Sequence, residues 1–213
     1  MKEKAIIFDF DGTIADSLKN IVEAVNRFSE KYGYKKVPLK EIRHLRNKRF
    51  EFFKDNFKVS LIKIPFIIAD IRKYVKSKVG FIKPQRGIRS LLLKLKKNYK
   101  LGIITSNSFG NVKIFLEKNK INFFDYICAE RNFFGKGRRL KRFLRKHNLG
   151  SNNALYVGDE VRDITAAREA GVKIIAVCWG FQGPVILLKS KPDFLARKPA
   201  DILKILSRHS KRF

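Results

Sequence analysis

Five short apolar runs punctuate the chain: AIIF at 5–8, LGIIT at 101–105, YIC at 126–128, ALYV at 154–157 and KIIAV at 173–177. They are rich in Ile and Val and carry almost no alternating polar residue, the pattern of strands buried on both faces. Between them the apolar positions take helical spacing, as in Ile88 to Leu95, Val112 to Leu116, Leu140 to Leu144 and Ile164 to Ala170. That spacing predicts amphipathic helices. Gly171 follows the last of them, where a glycine suits a helix C-terminus. Alternation of buried strand and amphipathic helix gives the fold class: α/β, a doubly wound, Rossmann-like parallel sheet with helices on both sides.

One interval breaks the rhythm. From Asp16 to Lys83 no strong strand run occurs, and about 70 residues are too many for a structureless loop. Ile21, Val25, Phe28, Phe50, Phe53, Phe57, Ile67, Ile68 and Ile71 predict several helices instead. The expected organisation is a core built from residues 1–15 and 84–213, with an inserted all-helical cap at 16–83, and KPQRG at 83–87 marking the return. Ligands of doubly wound sheets bind beyond the carboxyl ends of the strands. A cap leaving from that edge would cover such a site as a lid.

Composition adds a core and a charge. Hydrophobic residues make up 45% of the 213, with 19 Phe among them, enough for one substantial domain and a smaller insertion. No apolar stretch approaches the roughly 20 residues that span a bilayer. The apolar run in MKEKAIIFDFDG is interrupted at Asp9, unlike a secretory leader. Cys128 and Cys178 lie in apolar runs without metal-ligand spacing and read as reduced core residues, which suits a cytoplasmic protein. The 48 Lys and Arg against 19 Asp and Glu leave a formal charge of +29. Such a surplus attracts anionic small molecules and polyanions but specifies no chemistry.

Against that charge, two carboxylates stand out. Asp9 ends the first apolar run, Asp11 follows one residue later, and Gly12 next to it permits a tight turn and close approach of the backbone to an anion. A calcium loop would need its glycine at the sixth position, and here it is the fourth. A second acidic group, Asp159 and Asp163 in GDEVRD, follows the ALYV run. If a helix begins there, four-residue spacing puts both on one side. Helix capping is the competing account of Asp163. Together the four aspartates point to a site for a hard divalent cation, magnesium above all.

At this point the chain resembles the haloacid dehalogenase superfamily of phosphohydrolases, in its phosphoglycolate-phosphatase-like branch with a helical cap. DFDGT at 9–13 is similar to the first motif of that family, LGIITSNS at 101–108 to the second, Lys136 in FFGKGRRLKRFL to the third and GDEVRD at 158–163 to the fourth. The resemblance implies a nucleophile at Asp9, which forms an aspartyl-phosphate, and a general acid and base at Asp11. It implies phosphate contacts from Thr105 or Ser106, from Lys136 and at Gly12. Magnesium would be held by Asp9, the backbone carbonyl of Asp11 and Asp159, with Asp163 holding a metal-bound water or orienting Lys136. Lys141 is the alternative register for the third motif.

The function expected is magnesium-dependent hydrolysis of a small phosphomonoester, phosphoglycolate-like, a sugar phosphate or a nucleotide. A sugar-phosphate mutase would share all these residues. A nucleic-acid-binding protein on the same fold is the reading from another class, motivated by +29 overall and by 18 basic against 7 acidic residues at 14–85. The favoured partner is a small anionic phosphorylated substrate, not a nucleic acid or a membrane. His44, His147 and His209 have no ligand spacing and read as surface positions; Trp179 and Phe181 follow a strand end and read as packing residues, with the border of the crevice as the alternative; Arg46, Lys48 and Arg49 read as exposed, with contact to a distal group of the substrate as the alternative.

Overall fold

A computed structural model describes residues 3–38, 46, 60–130 and 135–209. Its six strands are β1 (Ala5–Phe8), β2 (Lys100–Thr105), β3 (Tyr126–Ala129), β4 (Ala154–Gly158), β5 (Lys173–Val177) and β6 (Phe194–Ala196). They form one sheet in the order β3-β2-β1-β4-β5-β6, and every pairing is parallel. The helices are α1 (Leu18–Arg27), α2 (Ser29–Tyr32), α3 (Ile64–Lys78), α4 (Ile88–Leu95), α5 (Phe109–Lys118), α6 (Lys136–Lys146), α7 (Val161–Ala170), α8 (Pro184–Lys189) and α9 (Pro199–His209). The five apolar runs became β1 to β5. The short edge strand β6 was not expected, because FLA at 194–196 is three residues long and carries no run of its own.

Strand residues divide by the two-residue period. Ile6, Phe8, Leu101, Ile103, Leu155, Val157, Ile175 and Val177 enter one apolar cluster with α4, α5 and α9. Ala5, Ile7, Ile104, Ala154, Tyr156, Ile174 and Ala176 enter the other with α6, α7 and α8. Each face of the pleat therefore has its own helical layer, which is why the strands read as unbroken apolar runs. A Cβ on Gly102 would stand 2.9 Å from Cζ of Phe143, so the α6 layer closes directly on the backbone of β2.

The regular elements in the described part of the segment between β1 and α4 are all helices. Ala24 of α1, Val75 of α3, and Val79 and Ile82 after it join the first cluster. Lys31 and Tyr32 of α2 bind Asp70 of α3 at 2.6 and 2.8 Å. Where this segment leaves and returns, the two chain ends lie side by side. The Asp16 amide donates to Lys83 O at 2.9 Å, and the Gln85 amide donates to Ile14 O at 2.8 Å. Ile68, expected to pack, is 42% exposed. Phe50, Phe53, Phe57, His44, Lys48 and Arg49 lie outside the described residues.

Cys128 and Cys178 are both free. They are half-buried at the margin of the second cluster, not in the core as expected: Cys128 lies on the edge strand β3 and Cys178 just past the end of β5. His147 and His209 are half-buried as well, packed on Tyr126 and Phe194 at 4.1 and 4.9 Å, so neither is a bare surface residue. Among the described residues no helix is long and apolar enough to cross a membrane.

Candidate active site

The carboxyl ends of β1, β2 and β4, three adjacent strands, meet the first turn of α6. Asp9 extends β1 by one residue, its amide donating to Val157 O at 2.8 Å, and is 3% exposed. Phe10, between the two aspartates, enters the first cluster and sets its ring edge-on to Phe115 at 5.0 Å. That anchor explains the D-x-D spacing: the aromatic ties the turn to the core while the flanking carboxylates remain at the strand tip.

Lys136 opens α6, is 7% exposed and places its Nζ 2.9 Å from Oδ1 of Asp9 while donating to Oδ1 of Asp163. The other Asp163 oxygen accepts the amides of Asp159 and Glu160, each at 3.0 Å. Asp163 thus caps the start of α7 and holds Lys136 at once. Gly158 is small for a local reason: a Cβ there would lie 2.5 Å from the Asp163 carboxyl. Asp159 accepts the Thr13 hydroxyl at 2.7 Å and the Phe181 amide at 2.6 Å. Gly12, at φ +80°, leaves the room that Asp159 fills, since a Cβ would come within 2.3 Å of its Oδ2. The Gly12 amide itself donates to Ala15 O at 2.9 Å, inside the turn.

Asp9, Asp159 and Asp163 are buried with ligand oxygens within 4.8 Å of one another. At an effective dielectric of about 20, two full charges at that separation repel by about 3 kcal/mol. Lys136 balances one of the three, and Arg162, half-buried nearby, is bound by Glu160 at 2.5 and 2.9 Å. The strain shows in the acidities. Burial, opposed by Lys136 and reinforced by Asp163, pushes the Asp9 carboxyl up to about 7. Burial, then Glu160 and Asp9, holds Asp159 well above the usual carboxylate range. Burial alone would lower Lys136, but Asp163 and Asp9 keep it well above the ordinary lysine value.

Do these residues fit a divalent cation? The donor set is all carboxylate oxygen, as a hard ion requires. One oxygen of Asp9, Oδ2, is buried without a hydrogen-bond partner. A Cβ on Gly180 would stand 2.2 Å from Oδ2 of Asp159, so the loop is open only for that carboxylate. The residues fit: Asp9 has an oxygen free of hydrogen bonds, Asp159 accepts from neutral donors, and Asp163 is already paired with the Lys136 cation. The Asp11 carboxylate is not among the three that cluster.

Asp11 is half-buried and accepts Nδ2 of Asn107 at 3.0 Å. Burial raises its pKa, and the Asn107 hydrogen bond limits the rise. Asn107 in turn accepts from Nδ2 of Asn111 and the amide of Ser108, both at 2.8 Å, and its own amide donates to Oγ1 of Thr105 at 3.0 Å. Thr105 ends β2, 1% exposed; Ser106 follows, half-buried. Arg139, one turn after Lys136 and 4% exposed, donates to the carbonyls of Thr105 and Glu130 at 3.3 and 2.9 Å. Lys141 is exposed, so Lys136 is the lysine that reaches the site.

Asn107, Arg139 and Thr13 were not foreseen as site residues. Asn107 lay inside the second motif, and only its polarity at a strand end could have marked it. Trp179 and Phe181, read from the sequence as packing residues, lie at the site instead, Trp179 donating Nε1–H to Thr13 O at 3.0 Å and Phe181 its amide to Asp159. Arg46 donates to Cys178 O at 2.5 Å, against the loop that carries them.

Residues 6–177 match the family model of haloacid dehalogenase-like hydrolases. The chain is 31% identical over 210 residues to a phosphoglycolate phosphatase of Synechococcus elongatus, covering 96% of this chain and 97% of that protein. It is 26% identical over 214 residues to a pyrophosphatase of Bacillus cereus, covering 97% and 98%. A solved structure of a haloacid dehalogenase-like family hydrolase from Streptococcus pneumoniae aligns with a TM-score of 0.82 at 29% identity, covering 96% of this chain and 98% of that one.

Proposed function

The chain belongs to the haloacid dehalogenase-like hydrolases and is a phosphatase of that family, and from that premise we propose that it hydrolyses a small phosphomonoester with magnesium, through an aspartyl-phosphate on Asp9. Phosphoglycolate is the first candidate substrate, after the relative from Synechococcus elongatus, with sugar phosphates and nucleotides next. The observation that carries the reading is Asp9 itself: one oxygen paired with Lys136, the other buried without a partner at the strand tip.

Oδ2 of Asp9 attacks phosphorus, and the bond from phosphorus to the ester oxygen breaks. Asp11, whose carboxyl is raised by burial, gives its proton to the leaving alkoxide. It then takes a proton from the water that attacks phosphorus, and Asp9 is released. Lys136 holds Asp9 in line and balances charge as the phosphoryl group approaches. Thr105 and Ser106 lie at the tip of β2, where a hydroxyl can donate to a phosphoryl oxygen. Asp9, Asp159 and the Asp11 carbonyl would hold magnesium, which when bound neutralises the approach of one anion to another. The inserted helices act as the lid that selects the substrate.

The family and its phosphatase relatives favour a hydrolase over a mutase or a binding protein without activity. The test is phosphate release from a panel of phosphomonoesters and pyrophosphate, with magnesium and with EDTA, by the wild type and by Asp9→Asn. Magnesium-dependent release from at least one monoester, lost in Asp9→Asn, is the expected result. Undiminished turnover in Asp9→Asn, or release from pyrophosphate alone, would overturn the proposal.

A further inference from the structure

Helix α6 is KGRRLKRFLRK: seven cations and no acid. Two of the seven, Lys136 and Arg139, are buried at the site; Arg138, Lys141, Arg142, Arg145 and Lys146 are exposed. Their spacing of three and four residues gathers these five on one outer face, while Leu140, Phe143 and Leu144 fill the core behind. Two acids touch the helix among the described residues: Glu130 meets Arg142 at 3.4 Å in its middle, and Glu169 packs over Gly137 near its start. Beyond it, Lys141 and Arg145 border a hollow of about 420 Å³ that ends at Ala170 of α7. On the far side of that helix end, Arg168, Lys173 and Lys191, with Asp193 the one acid among them, line a second hollow of about 280 Å³. The cationic surface thus runs along α6 and on across the C-terminus of α7.

We propose that this face binds the phosphate backbone of double-stranded nucleic acid without reading its sequence. Charge complementarity points to a polyanion. A lipid surface is the weaker fit, because the apolar side of α6 is spent in the core and offers nothing to insert. Single strands are a weaker fit too, since they need exposed aromatic platforms. The rings nearest the end of α6, Tyr126 and His147, are half-buried and stacked on each other at 4.1 Å. The face also belongs to the helical layer opposite the one joined by α1 and α3, so a bound duplex leaves the inserted helices clear.

The experiment is fluorescence anisotropy of a labelled 20-base-pair duplex titrated with the full chain between 50 and 200 mM salt. Five phosphate contacts predict a slope of log affinity on log salt of about −4.5. Arg138→Gln/Lys141→Gln/Arg145→Gln should flatten it by about 2.7, which amounts to at least a tenfold loss of affinity at low salt. Lys73→Gln/Lys76→Gln/Lys78→Gln, an equal charge removed from the exposed cations of α3, should flatten it by less than about 1. Phosphatase activity should be unchanged in the α6 variant and melting temperature in both, and Arg145→Gln/Lys146→Gln repeats the test should the triple variant fold poorly. Equal losses from the α6 and α3 variants, no loss from the α6 variant, tighter binding of a single strand, or binding to anionic vesicles but not to duplex would each overturn the assignment.

Discussion

Helix α6 puts one residue type to two opposite uses within two turns. Lys136 is 7% exposed, its Nζ held by Asp9 and Asp163; Lys141 stands in solvent beside four other cations of the same face. The free energy of each follows from its surroundings. A buried ammonium between two carboxylates cannot lose its partners without leaving uncompensated charge, at about 3–5 kcal/mol. An exposed lysine is screened by water and salt, and its removal changes stability by less than about 0.5 kcal/mol. Only the first can take part in chemistry, and only the second can collect counter-charge over a surface.

The sharpest way to break that contrast is Lys136→Met. Activity should fall by at least about 10²-fold, as when one preorganised charge contact is removed from a reacting centre. Stability should fall by about 3–5 kcal/mol in urea unfolding, because Asp9 and Asp163 remain buried.

A cation should reverse the same strain from the other side. Magnesium at about 100 times its dissociation constant stabilises the fold by about 2.7 kcal/mol, seen as a rise in melting temperature that Asp9→Asn largely loses. The sign of the pH dependence follows from Asp9, raised to about 7 against 3.8 for a free side chain. Between those values the folded protein in EDTA keeps a proton that the unfolded chain releases, so this residue's contribution falls as pH rises from about 4 to 7 and levels off above. The stability difference between wild type and Asp9→Asn, from urea midpoints across that range, should follow this course. A difference that grows more favourable to the wild type with rising pH would contradict it.

Asn107→Ala should act more mildly. It frees one oxygen of Asp11 without touching Asp9 or Lys136, and about a tenfold loss in kcat with little change in melting temperature is expected, below the roughly 10²-fold or more that loss of the general acid and base itself would cost. The smallest effect belongs to Lys141→Met, with turnover unchanged and a stability shift within about 0.5 kcal/mol. A loss of activity there comparable to Lys136→Met would collapse the comparison.

Much of this could be read before any coordinate was known. AIIF, LGIIT, YIC, ALYV and KIIAV each became a strand, because a parallel strand buried on both faces needs an unbroken apolar run and little else does. β6 escaped notice because three residues at a sheet edge need no such run. Asp9, Asp159, Asp163 and Lys136 were legible as motif residues, and the structure brings all four together. Asn107, Arg139 and Thr13 were not, for a common reason. Their partners, Asp11, Thr105 and Asp159, lie 96, 34 and 146 residues away along the chain, and no local pattern records a hydrogen bond closed across such a span.

Hydrophobic periodicity alone determined the alternation of strand and helix, the parallel sheet and the strand tips at which chemistry is placed, since these depend on neighbours in the chain. Tertiary structure decided the rest: that Asp163 spends its oxygens on Lys136 and two amides, that one oxygen of Asp9 is left without a partner, and that five of the seven cations on α6 face water. Burial and pairing are properties of packed surfaces, and a side chain acquires them only when distant segments close around it.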